Sequence, residues 1–405
     1  MSQNIFKNFE NFWNKNDIKQ KAEDYHNYFE NTDKEGDFSW INEKDKSSLK
    51  KGDIPKSMKW GIPNHILGDI DKAKFIIGLL NPGTNMKKEE SESCNTVGDY
   101  ICEEKKHEMC NKIEDEEMYK DHKLLIRTEV KPEEKKYKIP FPFSSKEVYE
   151  KDTNKEIDMY NYYYNHILDK ENVLSHELKS LYKLYNNNID VFEDLKNHKE
   201  GKKENQIKHP LKNLAYYFFT YYKGCFGGKS QIKKAIYHYE RIFEKINAAK
   251  RKTDKKKIDK EFEESLFKMP ITNVELIPYR TEKAPEQRFL ESSKISANAI
   301  IEKVMQDKDT IVILRSYDRK KEEDKENKYN WKKLFKNICE ERNIDFKKHI
   351  EPSIYLFKNQ NGSISKNNVK EANPYNSIKP VEQVVRELNE SIKLSDLEKD
   401  LDTNY

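Results

Sequence analysis

The run Ala73-Lys74-Phe75-Ile76-Ile77-Gly78-Leu79-Leu80-Asn81-Pro82-Gly83 constrains this chain more than any other stretch. An apolar segment, Phe75 to Leu80, breaks without a spacer into Asn-Pro-Gly. It is too short for most helices and is bounded by turn residues. It therefore reads as a strand buried on both faces, as at the centre of a parallel sheet. Pro82 cannot continue a hydrogen-bond ladder, and Gly83 permits a backbone conformation closed to most residues. The strand thus ends in a tight turn that presents Asn81 at its carboxyl end, where open α/β sheets place ligand sites. A plain strand-to-loop turn uses the same residues, so the motif alone assigns no function.

Three more runs have the same character. Asn273 to Arg280 is a short strand ended by Pro278; Thr310 to Ser316 is a second buried run; Ser353 to Phe357 is the last and opens into Lys358 to Ser365. Helical patterns lie between them, so the expected fold is α/β: a three-layer α/β/α arrangement on a four-stranded, mostly parallel sheet. Each strand ends in polar or turn residues on the same side, and right-handed crossovers gather those ends along one rim. That places Arg280, Arg315 and Ser316 among the strand-end candidates.

Four regions follow. Residues 1–55 carry Phe6, Phe9, Phe12 and Trp13 at helical spacing, an aromatic stripe for docking on the core. Residues 56–144 hold the first part of the α/β core, a polar, loop-rich stretch after Gly83, and the aromatic-proline knot Ile139-Pro140-Phe141-Pro142-Phe143. That knot reads either as a loop anchor or as a ligand-stacking surface. Residues 145–268 form a large helical insertion, and 269–400 complete the core and add a C-terminal helix running from about Pro380 to Leu397.

Composition bounds the functional classes. Charged residues (37%) outnumber hydrophobic ones (35%), yet aromatics reach 12%, which argues against wholesale disorder. The net charge of +4 commits the protein to no polyanion, so any phosphate-binding surface must come from local segregation. The Lys/Arg-rich stretch 245–260 is the candidate; a solvated helix face is the alternative. Cys94, Cys102 and Cys110 recur evenly near His107, but no Cys-x-x-Cys pair is present, so ordinary reduced thiols are expected and no metal or cofactor. With no membrane-length apolar run and no signal-like segment after Met1, the expected setting is cytoplasmic. Phosphate-loop, dinucleotide-fold, nucleophile-elbow and His-Glu-x-x-His motifs are all missing from the sequence.

The motif order resembles the uracil-DNA glycosylase superfamily. Leu79-Leu80-Asn81-Pro82-Gly83 is similar to its first motif in the Asn-Pro-Gly form. Asn359-Gln360-Asn361-Gly362-Ser363-Ile364-Ser365 resembles the second, with a polar start and a terminal serine but without the prolines. Phe141 and Phe143 resemble the aromatic that stacks on an extruded base. Where many uracil-specific members end the second strand in a base-reading asparagine, Pro278-Tyr279 stands here, and Asn359 replaces the histidine that often opens the second motif.

The resemblance implies hydrolysis of the N-glycosidic bond of a flipped base, in repair or bacterial defence, with DNA as partner. Asn81 would hold the attacking water, since its amide positions but is a poor base. Pro82, Gly83, Phe141, Phe143 and Tyr279 would form the base pocket. Asn359, Asn361, Gly362, Ser363 and Ser365 would supply loop donors to phosphate or base. A non-catalytic nucleotide- or nucleic-acid-binding protein using the same cleft is the alternative.

Overall fold

The computed structural model describes residues 4–30, 34, 36–49, 54–84, 86–108, 159–187, 192, 196, 215–227, 230–282, 290–318, 330–359 and 362–405. Among them seven strands build one mixed sheet: β1 (Ile66–Leu67), β2 (Phe75–Leu79), β3 (Leu168–Asp169), β4 (Ile271–Glu275), β5 (Ile311–Leu314), β6 (Ile354–Phe357) and β7 (Val369–Glu371). Their order is β3-β1-β4-β2-β5-β6-β7. The four-stranded expectation is therefore corrected to seven. The four runs read from sequence are the contiguous central block β4-β2-β5-β6, and every pairing within it is parallel. The flanking pairs β1–β4 and β6–β7 are antiparallel, whereas β1–β3 is parallel. These outer strands span two or three residues, too few to show a period-two pattern.

Alternation along the central strands sends side chains into two cores. Phe75, Ile77, Leu79, Ile271, Ile311, Ile313, Tyr355 and Phe357 face a helical layer that includes Val173–Asn187, Gln231–Lys252, Lys255–Phe267 and Val381–Ile392. Ile76, Val274, Val312, Leu314 and Ile354 face the other layer, which includes Phe6–Trp13, Lys15–Glu30, Met159–Ile167, Glu291–Gln306 and Trp331–Glu341. Helices thus cover both sheet faces, and the expected aromatic stripe at Phe6, Phe9, Phe12 and Trp13 is buried in the second core.

Local differences have simple causes. Strand β4 ends at Glu275, before Pro278, although Leu276 and Ile277 still donate to Leu79 O (3.0 Å) and Leu80 O (2.9 Å), and Leu276, Ile277 and Tyr279 are buried in the second core. The stretch after Gly83 holds helices Lys88–Ser93 and Val97–Glu108 rather than loop alone; Tyr100 anchors the second in the core. The terminal helix divides at Leu394, whose left-handed φ of 54° separates Val381–Ile392 from Ser395–Asn404. No helix among the described residues is long and apolar enough to cross a membrane.

At the sheet centre, Gly78 is set by close packing. A Cβ there would lie 2.3 Å from Leu314 Cδ2 and 3.2 Å from the Trp331 ring. Overpacking of that kind costs about 1–3 kcal/mol. Gly78→Ala is accordingly expected to lower unfolding free energy by roughly that amount in denaturant titration; unchanged stability would show that this layer is loosely packed.

Candidate functional site

Because β4, β2, β5 and β6 run parallel, the Asn-Pro-Gly turn after β2 and the Asn359–Ser365 loop after β6 leave the same end of the sheet. Register defines the rim between them. Leu79 pairs with Glu275 on one side, and Arg315 donates its N–H to Gly78 O at 2.9 Å on the other. Asn273, Glu275, Leu79, Ile313, Arg315 and Phe357 fall on the face covered by the helical segment Tyr216–Phe226, which combines the helix Tyr216–Thr220 and the 3-10 turn Tyr222–Phe226.

Glu275 is 2% exposed, and its Oε2 has no partner among the described residues. Burial pushes its carboxyl up to about 8, while the Arg315 guanidinium opposes the shift. Arg315 donates to the Tyr221 hydroxyl and lies 5.4 Å over that ring. Tyr221 packs against Tyr217 at 5.8 Å and Phe357 at 6.1 Å between ring centres. One step inward, the Tyr222 hydroxyl donates to Asn273 Oδ1 at 2.9 Å, leaving the buried Asn273 Nδ2 without an acceptor among the described residues.

The helical cover is held by designed contacts rather than by apolar packing alone. Glu177 accepts from the Tyr217 and Phe218 N–H groups, both at 2.7 Å, capping the Tyr216–Thr220 helix. Burial pushes the Glu177 carboxyl up to about 8, and the two N–H bonds pull it back. Ile364 N–H donates to Tyr221 O at 2.8 Å, and a Cβ on Gly224 would strike Ile364 O at 2.4 Å. The second loop and the cover are thereby one packed unit.

The backbone of Glu275 is fixed from the opposite face. Its N–H donates to His65 O at 3.0 Å, and its carbonyl accepts from Ser296 Oγ at 2.7 Å. Trp13 Nε1 can only donate, so His65 accepts at Nδ1 (2.8 Å) and donates through Nε2 to Ser296 Oγ (2.8 Å). Burial holds this imidazole down to about 3, so it stays neutral and acts as a strut.

The expected site residues divide accordingly. Asn81 sits on the rim: its Nδ2 donates to Thr281 O (2.8 Å) and Pro82 O (3.1 Å), and its Oδ1 accepts from no described residue. Pro82 is buried and Gly83 exposed, but Gly83 has no positive φ and space around it, so its conformational freedom is not used. Arg315 and Ser316 end β5; Ser316, at φ 55°, makes the left-handed turn away from the strand. Asn359, Gly362, Ser363 and Ser365 form a loop pinned by Asn368, which bonds Asn359 N–H, Asn359 O and Ser363 O. Gly362 is needed there, since a Cβ would meet Asn368 Nδ2 at 2.4 Å. Ser363 Oγ donates to Gln231 Oε1 at 3.3 Å, a tie to the start of the helix Gln231–Lys252. Phe141, Phe143, Asn361, Cys110 and the His107 side chain lie outside the described residues.

Two expected pocket residues are elsewhere. Tyr279 is buried in the opposite core, donating to Asp45 Oδ2 at 2.7 Å and accepting from Asn42 N–H at 3.0 Å. Arg280 is also buried there, with Nη1 on Glu104 Oε1 (3.2 Å), Nε on Ile62 O (3.1 Å) and Nη2 on His166 Nε2 (3.2 Å). His166 donates from Nδ1 to Pro63 O; burial and the adjacent Arg280 charge keep it well below the usual imidazole range. Both residues are buried because the chain stays inside the second core past Glu275, through Leu276, Ile277 and Tyr279.

The basic stretch 245–260 lies on two helices, Gln231–Lys252 and Lys255–Phe267. Lys245 pairs with Glu398 and Asp402, Lys250 with Asp259, Lys257 with Glu261 and Lys260 with Glu264. The Lys245 pairs reach the C-terminal helix and Lys250–Asp259 joins the two helices, while Arg251, Lys255 and Lys256 are exposed cations without a described partner. Asp169, Glu171 and His176 lie close enough to hold a cation, but His176 bridges both carboxylates through different nitrogens and Lys179 pairs with Glu171.

The sequence reading missed Asn273, Glu275 and Tyr221. An acid inside the otherwise apolar run Val274-Glu275-Leu276-Ile277 was the available signal for Glu275. No known family model, characterised protein or solved structure matches this chain.

Removing one member of a buried ion pair strands the other, at about 3–5 kcal/mol. Arg280→Met should destabilise by that order, and adding Glu104→Leu should restore most of the loss; equal losses in single and double variants would refute the pairing. Glu275 behaves oppositely. Burial pushes its folded carboxyl up to about 8 from an ordinary 4.5, so its contribution to stability is present below about 4.5 and is lost as pH rises through about 8. Glu275→Gln should therefore gain stability relative to wild type across that window, on the order of a few kcal/mol. A pH-independent difference would contradict an uncompensated buried carboxyl.

Proposed function

We propose that the rim is the site of a glycosylase-like hydrolase that takes a flipped nucleobase from DNA. The observation that carries the reading is the convergence of Asn81, Asn273, Glu275 and Arg315 at the carboxyl ends of adjacent parallel strands. A water accepted by Asn81 Oδ1 would be held for attack on the anomeric carbon. As the glycosidic C–N bond breaks, its electron pair goes to the base, whose developing charge would find the Asn273 N–H and the Arg315 cation nearby, and the departing base takes up the proton that the attacking water loses. Tyr217 and Tyr221 supply aromatic surface at the same place, in keeping with base stacking worth roughly 1–3 kcal/mol.

A non-catalytic binder is favoured by one feature: Asn81 Nδ2 is engaged by two backbone carbonyls, and no described carboxylate adjoins its Oδ1 to accept a proton from water. Labelled single and double strands carrying uracil, hypoxanthine, cytosine or modified cytosine separate the two by appearance of abasic sites. Excision that falls about a hundredfold or more in Asn81→Ala supports the hydrolase. Salt-sensitive binding with no product from any strand, and no effect of Asn81→Ala, supports the binder and excludes the hydrolase.

A further inference from the structure

We infer that the Tyr216–Phe226 cover is a lid that closes over Asn273 and Glu275 in weak acid and opens as pH rises through neutrality. The inference stands whether or not the rim acts on nucleic acid. Its basis is a short segment pinned over two buried carboxyls. Glu177, on the helix Val173–Asn187, accepts from the Tyr217 and Phe218 N–H groups, both at 2.7 Å, and so fixes the first turn of the cover. Glu275, on β4, lies under the tyrosines, 2% exposed, with Oε2 unpartnered among the described residues. Between them the Tyr222 hydroxyl donates to Asn273 Oδ1 at 2.9 Å, and Ile364 N–H donates to Tyr221 O at 2.8 Å. The segment is five residues of α-helix followed by five of 3-10 helix. It ends at Gly227, whose φ of 67° is a pivot few other residues could supply. Apolar burial of Phe218, Phe219 and Tyr222 holds it down.

Lifting the cover hydrates both carboxyls, which links their protons to its position. Burial pushes each of them up to about 8 from an ordinary 4.5. The closed cover therefore keeps both protonated near pH 6. With the cover raised, each returns to its ordinary range and gives up its proton at that pH. The ratio of open to closed thus climbs with pH, by about tenfold per pH unit for each carboxyl, and levels off above about 8. The surrounding groups leave that sign intact. Tyr217, Tyr221 and Tyr222 face the carboxyls from the cover and keep their protons throughout. Arg315 from β5 favours ionised Glu275, but burial outweighs it. β2 contributes only Leu79, and His65 behind Glu275 stays neutral. Glu177 sets only its two N–H bonds against burial, and Lys223, buried in the cover, acts on neither carboxyl.

The experiment reads Cys225, 7% exposed within the cover, against Cys339, 1% exposed in the helix Trp331–Glu341 of the opposite core. The whole protein is alkylated with dilute iodoacetamide from pH 6 to pH 9, and each cysteine is followed by peptide mass spectrometry. Dividing by the rate in the guanidinium-unfolded chain at the same pH removes the intrinsic gain in thiolate and leaves the opening ratio. At Cys225 that ratio is expected to rise about tenfold or more per pH unit up to pH 8 and then to level. Cys339 is expected to stay about tenfold or more better protected throughout. Glu177→Gln and Glu275→Gln, with folding verified by circular dichroism, should each remove about one tenfold-per-unit share of the slope, and together should flatten it. The wild-type profile decides the matter should a variant misfold. A pH-independent Cys225 ratio, parallel exposure of Cys225 and Cys339 at every pH, or an unchanged slope in the double variant overturns the inference. Abasic-site formation is scored separately, so the lid and the hydrolase reading fail independently.

Discussion

Glu275 is gripped from behind and left unmatched in front. Its peptide group is held by His65 and Ser296, and the relay continues to Trp13 on the N-terminal helix. Its carboxyl oxygen Oε2 meets no donor among the described residues. Leaving a buried polar atom unpaired costs about 1–3 kcal/mol, more when charged. A chain with only short central strands and a highly polar composition keeps this arrangement at the edge where its parallel strands end. The rest of the rim is organised around it: Leu79 beside it, Arg315 beyond, and the tyrosines above.

The cover gives the rim its chemistry. Parallel strands alone would present a row of backbone ends to solvent. Here Glu177 caps the helix that carries Tyr217, and that segment is stitched to the second loop through Ile364 and Gly224. Burial under it raises the Glu275 carboxyl and keeps the tyrosine hydroxyls protonated. Long-range ion pairs of Lys245 with Glu398 and Asp402 hold the following helix, Gln231–Lys252, to the C-terminal helix.

Much of this was legible in the chain, for physical reasons. The apolar runs at Phe75, Ile311 and Ile354 are strands because burial on both faces leaves nothing else for them, and Asn81, Arg315 and Ser316 follow at the strand ends. Asn273 to Arg280 was harder. Its hydrophobicity continues past Glu275 while the regular strand does not, so the turn-associated Pro278 gave a false end and Tyr279 and Arg280 a false position. β1, β3 and β7 carry too few residues for a pattern. The partners of Lys245 and Lys250 lie on other segments, where no local charge count reveals them.

The most direct measurement is where nucleic acid touches the protein. A single strand carrying one photoreactive 5-bromocytosine, irradiated with the whole chain and digested for mass spectrometry, reports the residue that meets the base. Adducts within Tyr216–Phe226, at Tyr217 or Tyr221, are the result expected of a base held beneath the cover and beside Glu275. Adducts confined to the exposed cations near Arg251, with none on the cover, would contradict it.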